Sequence, residues 1–257
     1  MNQAAVKAYF ENPRVIAYYA AAVKGSGLWL SEEKIFRRIF HPRQELLELG
    51  SGVGRISIAL YEMGFTNIKA TDLCPKMVRE CRRVLGLLNY DIPTQVVDAT
   101  SIPFADNSFD GVIFGFNGLM QIPGAAARLQ AVREVFRVLR PGHFFIFTTL
   151  DRDHYKFKDY WKKEALRWRK GEQQSELLEF GDMYNDTELG KLFIHVPNVK
   201  EIISLLKDGG FLVESNILRS KLANEPLKVR EFADECRFWI ALKPSWEGKA
   251  PNANRLQ

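Results

Sequence analysis

Short apolar runs alternate with amphipathic stretches along most of the chain, and the period of the pattern switches at each boundary. Leu46 to Leu49 is a run long enough for a buried strand and too short for a helix. Gly50, Gly52 and Gly54 follow at alternate positions. Ile56, Ala59 and Leu60 then fall on one face of a helix predicted from about Arg55 to Glu62. The same succession repeats. A strand over Ile68 to Thr71 leads to a helix starting near Pro75, with Met77, Cys81, Val84, Leu85 and Leu88 on one face. Thr94 to Val97 and Gly111 to Phe116 read as further strands. A helix over Arg128 to Leu139 points Leu129, Val132, Phe136 and Leu139 inward and leaves Arg128, Arg133, Arg137 and Arg140 at exposed positions; Phe144 to Thr149 is the fifth strand. Strands and helices in alternation predict an α/β fold, a mostly parallel sheet with helices on both faces.

The flanks break this rhythm. Residues 1–42 look helical, with Val15, Ile16, Tyr18, Tyr19, Ala22 and Val23 on a broad apolar face, a break at Gly25-Ser26-Gly27, and a second helix capped by Ser31 and ended by Pro42. Tyrosines and Trp29 beside that glycine pair suit a lid. Residues 151–195 are rich in aromatics, with a helix from Phe157 to Arg169 and an extended stretch near Leu177 to Val196. Pro197 opens another helix, Gly209-Gly210 stops it, and Phe211 to Leu218 with Phe238 to Leu242 forms a closing antiparallel pair. The predicted organisation is an N-terminal helical lid (1–42), a ligand-binding core (43–150), an inserted cap (151–195), the C-terminal part of the core (196–243) and a tail (244–257).

Composition narrows the class. With 46% hydrophobic and 26% charged residues the chain can bury a full core. It contains no apolar run long enough to span a bilayer, and its start lacks the basic-then-apolar pattern of a secretory signal. Cys74, Cys81 and Cys236 form no C-x-x-C pair and the four histidines are dispersed, so a reducing, cytoplasmic setting without a metal site is expected. The formal charge of +5 admits an anionic partner without requiring one; the nearest approach to a basic stripe, Lys156 to Lys170, is interrupted by Asp159 and Glu164.

The chemistry concentrates at the strand ends. Glycines at 50, 52 and 54 suit a turn whose backbone N–H groups face a ligand unobstructed by Cβ atoms. The dinucleotide fingerprint would place its third small residue at Arg55, and Glu48 would repel a pyrophosphate. An acid there fits a ligand carrying an amine or a sulfonium. Asp72, 22 residues after Gly50, stands at the end of the second strand, where a carboxylate accepts hydrogen bonds from both hydroxyls of a ribose; it can also cap the following helix. Asp98-Ala99-Thr100 closes the third strand. Polar groups at matching strand ends predict one crevice at the carboxyl edge of the sheet.

Together, Leu-Glu-Leu-Gly-Ser-Gly-Val-Gly at 47–54, Asp72, Asp98-Ala99, Asp-Asn-Ser-Phe-Asp at 106–110 and Val-Leu-Arg-Pro-Gly at 138–142 resemble the class I S-adenosylmethionine-dependent methyltransferases with a type 11 domain, over roughly residues 45–243. The resemblance implies a Rossmann-like sheet of seven strands whose final hairpin is antiparallel, and S-adenosyl-L-methionine as cofactor with S-adenosyl-L-homocysteine as product. It places Glu48 and Gly50 near the methionine amine, Ser51, Gly52 and Gly54 in the turn, Asp72 on the ribose, and Leu73 against the adenine. Asp98 would meet the adenine amino group and Ala99 supply an N–H, with Phe116 or Asn117 near the methionine part; Met77 and Thr100 complete the expected cofactor contacts. Ser51 stands where many relatives carry Cys or Thr, and His143 replaces the second glycine after Pro141.

Methyl transfer from an activated donor needs an aligned nucleophile and a shielded pocket more than an acid–base set. Acceptor-side candidates are Tyr18, Tyr19, Asn117, Met120, Tyr155, Trp161 and His195, with Tyr18, Trp29, Asn117 and His195 expected to face the methyl group. His195, ordinarily titrating near 6.5, is either a base or a polar residue ordering the extended segment. The leading expectation is methylation of an O or N atom on a small molecule with an aromatic or apolar body. The alternatives are methylation of tRNA or another RNA, gripped by Lys156 to Lys170 and its two tryptophans, and a non-catalytic protein that keeps the cofactor as a regulatory ligand. Monomer and dimer both remain open.

Overall fold

The computed structural model describes residues 3–245. Three helices lead: α1 (Gln3–Phe10), α2 (Pro13–Gly25) and α3 (Leu30–Ile39). The alternating part follows as β1 (Leu46–Glu48), α4 (Arg55–Glu62), β2 (Ile68–Asp72), α5 (Pro75–Leu88), β3 (Thr94–Val96) and β4 (Phe109–Phe114), then a 3-10 turn (Gly118–Gln121), α6 (Ala125–Val138) and β5 (Leu139–Thr149). The insertion comprises α7 (Lys158–Lys170) and a hairpin of β6 (Asp182–Thr187) and β7 (Gly190–His195). The chain then runs through α8 (Val199–Asp208), β8 (Leu212–Leu218), α9 (Arg219–Leu222), α10 (Leu227–Phe232) and β9 (Arg237–Leu242).

Seven strands form one sheet in the order β3-β2-β1-β4-β5-β9-β8, and β6-β7 pair separately. The neighbours from β3 to β5 run parallel, whereas β9 is antiparallel to both β5 and β8. The strands read as nearly continuous apolar runs because both faces are covered. Leu47, Val112, Phe145 and Phe147 pack toward α6 and α8, while Leu46, Ile113, Ile146 and Ile240 pack with Phe36, Phe40 and Ile58 on the other side. The order reverses between β1 and β4, the switch point at which an open α/β sheet leaves a crevice at its carboxyl edge.

Local signals explain most helix ends. Asn12 Oδ1 accepts from the Arg14 N–H at 2.9 Å ahead of Pro13, and Asn198 Oδ1 accepts from Glu201 N–H at 2.9 Å. Helix α3 differs from its expected cap. It begins one residue before Ser31, after Trp29, whose side chain has no acceptor to offer. The orphan donors are satisfied by carboxylates instead: Glu32 accepts from Trp29 N–H (2.9 Å), and Glu225, 195 positions from Leu30, accepts from Leu30 and Ser31 N–H (3.0 and 2.8 Å). Arg128 also departs from expectation. It is buried at 3% exposure because Glu179 of the insertion neutralises it at 2.7 Å. The two short helices α9 and α10 interrupt the closing strand pair, and of the predicted tail residues 246–257 lie outside the described residues.

Candidate functional site

A cleft enclosing about 1120 Å³, part of it open solvent, lies over the carboxyl ends of β1, β2 and β4. Its floor is the glycine turn. Gly50 has φ +61°, and a Cβ there would sit 2.7 Å from the Phe114 ring, so only glycine lets the chain leave β1 in this direction. The turn is pinned to the neighbouring strand: Ser51 N–H donates to Thr71 O at 2.9 Å and Gly52 N–H to Asp72 Oδ2 at 2.8 Å. At Gly52, with φ +56°, nothing occupies the space where a Cβ would point, so a ligand can approach the backbone closely.

Three carboxyl groups line this cleft, each in a different electrostatic state. Glu48 is 2% exposed, and Ser57 Oγ donates to its Oε2. Burial pushes its pKa up to about 7; the Ser57 bond and the Arg55 guanidinium pull downward, and Glu32 adds to the rise. Asp72 is also raised by burial, against which the N–H groups of Cys74 and Gly52 work, each at 2.8 Å from one carboxylate oxygen. For Asp98 burial opposes the charge, yet the Thr100 N–H and hydroxyl (2.9 and 2.8 Å) and the Gln3 amide (2.8 Å) outweigh it and hold the pKa below the ordinary range.

The remaining walls are apolar. Helix α1 contributes Gln3, Val6 and Phe10, α2 contributes Tyr19 and Ala22, and Phe116, Gln121 and Ile122 come from the loop after β4. Phe232 closes the mouth from the end of α10. Tyr19 and Phe116 meet edge to face with centroids 6.0 Å apart, and Phe116 stacks on Phe232 at 5.1 Å. Burial also drives the Tyr19 phenol well above its ordinary pKa. Arg55 ties the N-terminal helices to the glycine turn, making a two-pronged ion pair with buried Glu32 at 2.6 and 2.7 Å and donating to Gly27 O at 2.8 Å. Its guanidinium lies 4.9 Å from the centre of the Trp29 ring, and that of Arg219 lies 5.1 Å from the same ring.

Of the residues expected from sequence to contact a cofactor, Glu48, Gly50, Ser51, Gly52, Asp72, Leu73, Met77, Asp98, Ala99 and Phe116 line the cleft. Gly54, Thr100 and Asn117 do not. Gly54 turns the chain into α4 at φ +91°, Thr100 holds Asp98 in place, and Asn117 N–H binds Thr148 Oγ1 at 2.9 Å. None of the four side chains expected to face a transferred methyl group lines the cleft either. Tyr18 is 44% exposed and stacks on Phe232 from outside; Trp29 is buried beside Arg55 and Arg219. His195 is held between Asp182 (Nδ1, 2.8 Å) and Glu201 (Nε2), and lines a second cavity with Met120, Arg128 and Glu179. Burial alone would lower its pKa, but the two carboxylates raise it. Carboxylates at both ring nitrogens favour the charged imidazole, which ties the hairpin to α8. Glu179, Asp182 and His195 bring possible metal-ligating atoms within 4.8 Å of one another, yet Arg128 already holds Glu179 and His195 holds Asp182. Among the other acceptor-side candidates Tyr19 lines the cleft, Met120 and Trp161 are buried in the core, and Tyr155 is 76% exposed.

Sequence reasoning passed over Gln3, Phe10, Arg55, Gln121 and Phe232, all of which line the cleft. Only Arg55, directly after the last glycine of the turn, carried a local signal.

The cleft therefore offers carboxyl groups for an amine and for hydroxyls, an open backbone turn, and an aromatic end. This donor set fits a sulfonium nucleoside with an amino-acid tail and disfavours a phosphate ester. A family model described as a methyltransferase domain matches residues 47–147. The chain is 35% identical over 100 residues to the ubiquinone/menaquinone biosynthesis C-methyltransferase UbiE of Desulfotalea psychrophila, a match covering 38% of each chain. It is 24% identical over 205 residues to a demethylmenaquinone methyltransferase of Symbiobacterium thermophilum, covering 74% of this chain and 78% of that one. A solved SAM-dependent methyltransferase of Methanosarcina mazei superposes with a TM-score of 0.65 at 21% identity, over 82% of this chain and 97% of the other.

Proposed function

We propose that the chain, whose residues 47–147 match a methyltransferase-domain model, is a class I S-adenosylmethionine-dependent methyltransferase that moves a methyl group from that cofactor onto a small molecule with an aromatic, apolar body. The observation that carries this reading is the joining of two unlike ends in one cleft: Glu48, Asp72 and Asp98 with the glycine turn at one side, and Tyr19, Phe116, Phe232 and Phe10 at the other.

When bound, S-adenosylmethionine supplies a methyl group already activated by its sulfonium. The protein's part is to hold and to exclude. Glu48 would receive the ammonium of the methionine tail, Asp72, whose Oδ2 already fixes the turn through Gly52 N–H, would accept from the ribose hydroxyls, and Asp98, tethered by Gln3 of α1, would meet the base. The aromatic wall holds a planar acceptor and keeps water from the reacting centre, so rate enhancement comes chiefly from alignment. The relative named for C-methylation in ubiquinone and menaquinone biosynthesis, together with the demethylmenaquinone methyltransferase, supports a carbon atom of a quinone-like acceptor over the oxygen or nitrogen anticipated from sequence. The RNA reading loses its stacking platform, since Trp161 is 6% exposed and Trp168 packs against Phe180 with ring centres 6.2 Å apart.

The test is direct: titrate the protein with S-adenosylhomocysteine by calorimetry, then incubate it with S-adenosylmethionine and a panel of unmethylated hydroquinones and naphthols and look for methylated product by mass spectrometry. Product on an aromatic ring supports the proposal. Heat of binding without transfer to any aromatic acceptor points to a regulatory binder and overturns it.

A further inference from the structure

The charge of this protein is not spread over its surface. Of 36 basic and 31 acidic residues, seven basic and two acidic fall between Lys156 and Lys170, leaving 29 of each sign elsewhere, so the entire formal excess of +5 sits on one short segment. Helix α7 buries Trp161 and Glu164 and half-buries Ala165 and Trp168, the spacing of a single inward stripe. The opposite face is exposed and carries Lys158, Lys162, Lys163, Leu166, Arg169 and Lys170. Leu166, 55% exposed, has Lys162, Lys163 and Lys170 three or four residues away, so the lysines ring it. Tyr155 (76% exposed) and Tyr160 (43%) stand beside the same helix. Lys162 pairs with Asp159 at 3.3 Å and Arg167 with Glu164 at 2.6 Å; among the described residues no ion pair engages Lys156, Lys158, Lys163, Arg169 or Lys170.

An ordinary solvated helix face interleaves the two signs, as Glu134 and Arg137 do on α6. Here cations, of which only Lys162 has an acidic partner among the described residues, surround an aliphatic side chain and are flanked by tyrosines, the arrangement of a helix that lies in a lipid interface with its apolar groups among the headgroups and its ammonium groups on phosphates. We propose that α7 docks this protein onto an anionic lipid surface. A single-stranded RNA fits less well: both tryptophans of the helix face the protein interior, and a convex helix provides no groove to follow a strand. The docking also bears on the cleft. The insertion touches the lid through β7, which lies beside α1, and through Thr187, whose Oγ1 is 3.4 Å from the Tyr9 hydroxyl. A docked cap thus holds the cleft's lid near the bilayer, where an apolar acceptor resides; this consequence rests on the proposed acceptor, whereas the docking itself does not.

Sedimentation of the full-length protein with vesicles of phosphatidylcholine alone, and with equal parts phosphatidylglycerol, tests the surface without any need for cofactor or acceptor. Binding to the anionic vesicles alone is expected, weakening as salt is raised. A Lys162→Gln, Lys163→Gln, Lys170→Gln variant is expected to bind roughly 100-fold more weakly, about fivefold per lysine, and Leu166→Ser to lose binding with its thermal melt unchanged. Equal partition onto neutral and anionic vesicles, a triple variant that binds like the parent, or salt-sensitive capture of bulk tRNA with no vesicle binding would each overturn the proposal. A melt of the triple variant superimposable on the parent's excludes misfolding as the cause of lost binding. S-adenosylhomocysteine titration reports on the cleft separately, so failure of the proposed activity and failure of the docking remain distinguishable.

Discussion

Replacing Glu48 by Gln separates what the carboxyl costs the ligand-free fold from what it contributes to a ligand. In the folded chain its pKa is pushed up from 4.5 to about 7, chiefly by burial. Between those two values the folded state keeps a proton that the unfolded state has lost. Stability therefore falls as pH rises from about 4.5 to about 7 and levels off above, by roughly 3 kcal/mol in all. Glutamine has nearly the same shape, keeps a partner for Ser57 and never ionises. Ligand-free Glu48→Gln should come within about 1 kcal/mol of the parent at pH 5 and exceed it at pH 8 by about 3 kcal/mol, a rise in Tm of roughly 6–10 °C for a domain of this size. Paired thermal melts and urea titrations at the two pH values measure this. Affinity for S-adenosylhomocysteine should move the other way. An ammonium requires the ionised carboxylate, about a tenth populated at pH 6, so the parent's affinity should climb about tenfold between pH 6 and pH 8 while the variant's stays low and flat. If the stability difference between parent and variant is the same at pH 5 and pH 8, the account of Glu48 as a buried, partly neutral acid is wrong.

Further consequences follow for other residues. Asp72→Ala removes the acceptor for Gly52 N–H and the one proposed for two ribose hydroxyls, and calorimetry should find cofactor affinity reduced by about 100-fold or more; affinity like the parent's would remove Asp72 from the site. Glu225→Ala leaves the Leu30 and Ser31 N–H groups unpaired at the start of α3. A loss of about 2 kcal/mol is expected, with hydrogen exchange quickened around residues 29–33; unchanged exchange there would count against the tie. His195→Gln should leave cofactor binding intact and cost stability most at low pH, because a raised histidine pKa stabilises fully below about 6.5 and progressively less as pH passes its folded value. Urea titrations at pH 6 and pH 9 check this, and an equal loss at both would refute the charged imidazole.

What could be read in the sequence and what could not divides along the distance of the causes. The glycine turn, the acids at the ends of β1 and β2 and the alternating elements are set by neighbours within a few positions, so period and residue type reveal them. The aromatic end of the cleft is assembled from α1, α2, the loop after β4 and α10, segments separated by more than two hundred positions at the extreme, and no local signal connects them. Tyr18 and Tyr19 show the difficulty at its smallest: successive helical residues point about 100° apart, and the docking of α2 on α4 and α5 turns Tyr19 to the cleft and leaves Tyr18 outside it. The two readings of His195, base or ordering residue, could not be separated in sequence for a related reason. This residue ends a strand whose outward neighbours were visible, but its carboxylate partners, Asp182 across the hairpin and Glu201 on the next helix, become partners only after the insertion folds back. The two ends of the cleft are thus under different constraints. The turn and Glu48 belong to one βα unit, with Asp72 and Asp98 at the ends of the next two strands, and cannot change without disturbing the carboxyl edge of the sheet, whereas Phe10, Tyr19 and Phe232 sit on helices outside the sheet. Exchange of these lid aromatics can therefore alter the acceptor accepted while leaving cofactor binding and the fold in place.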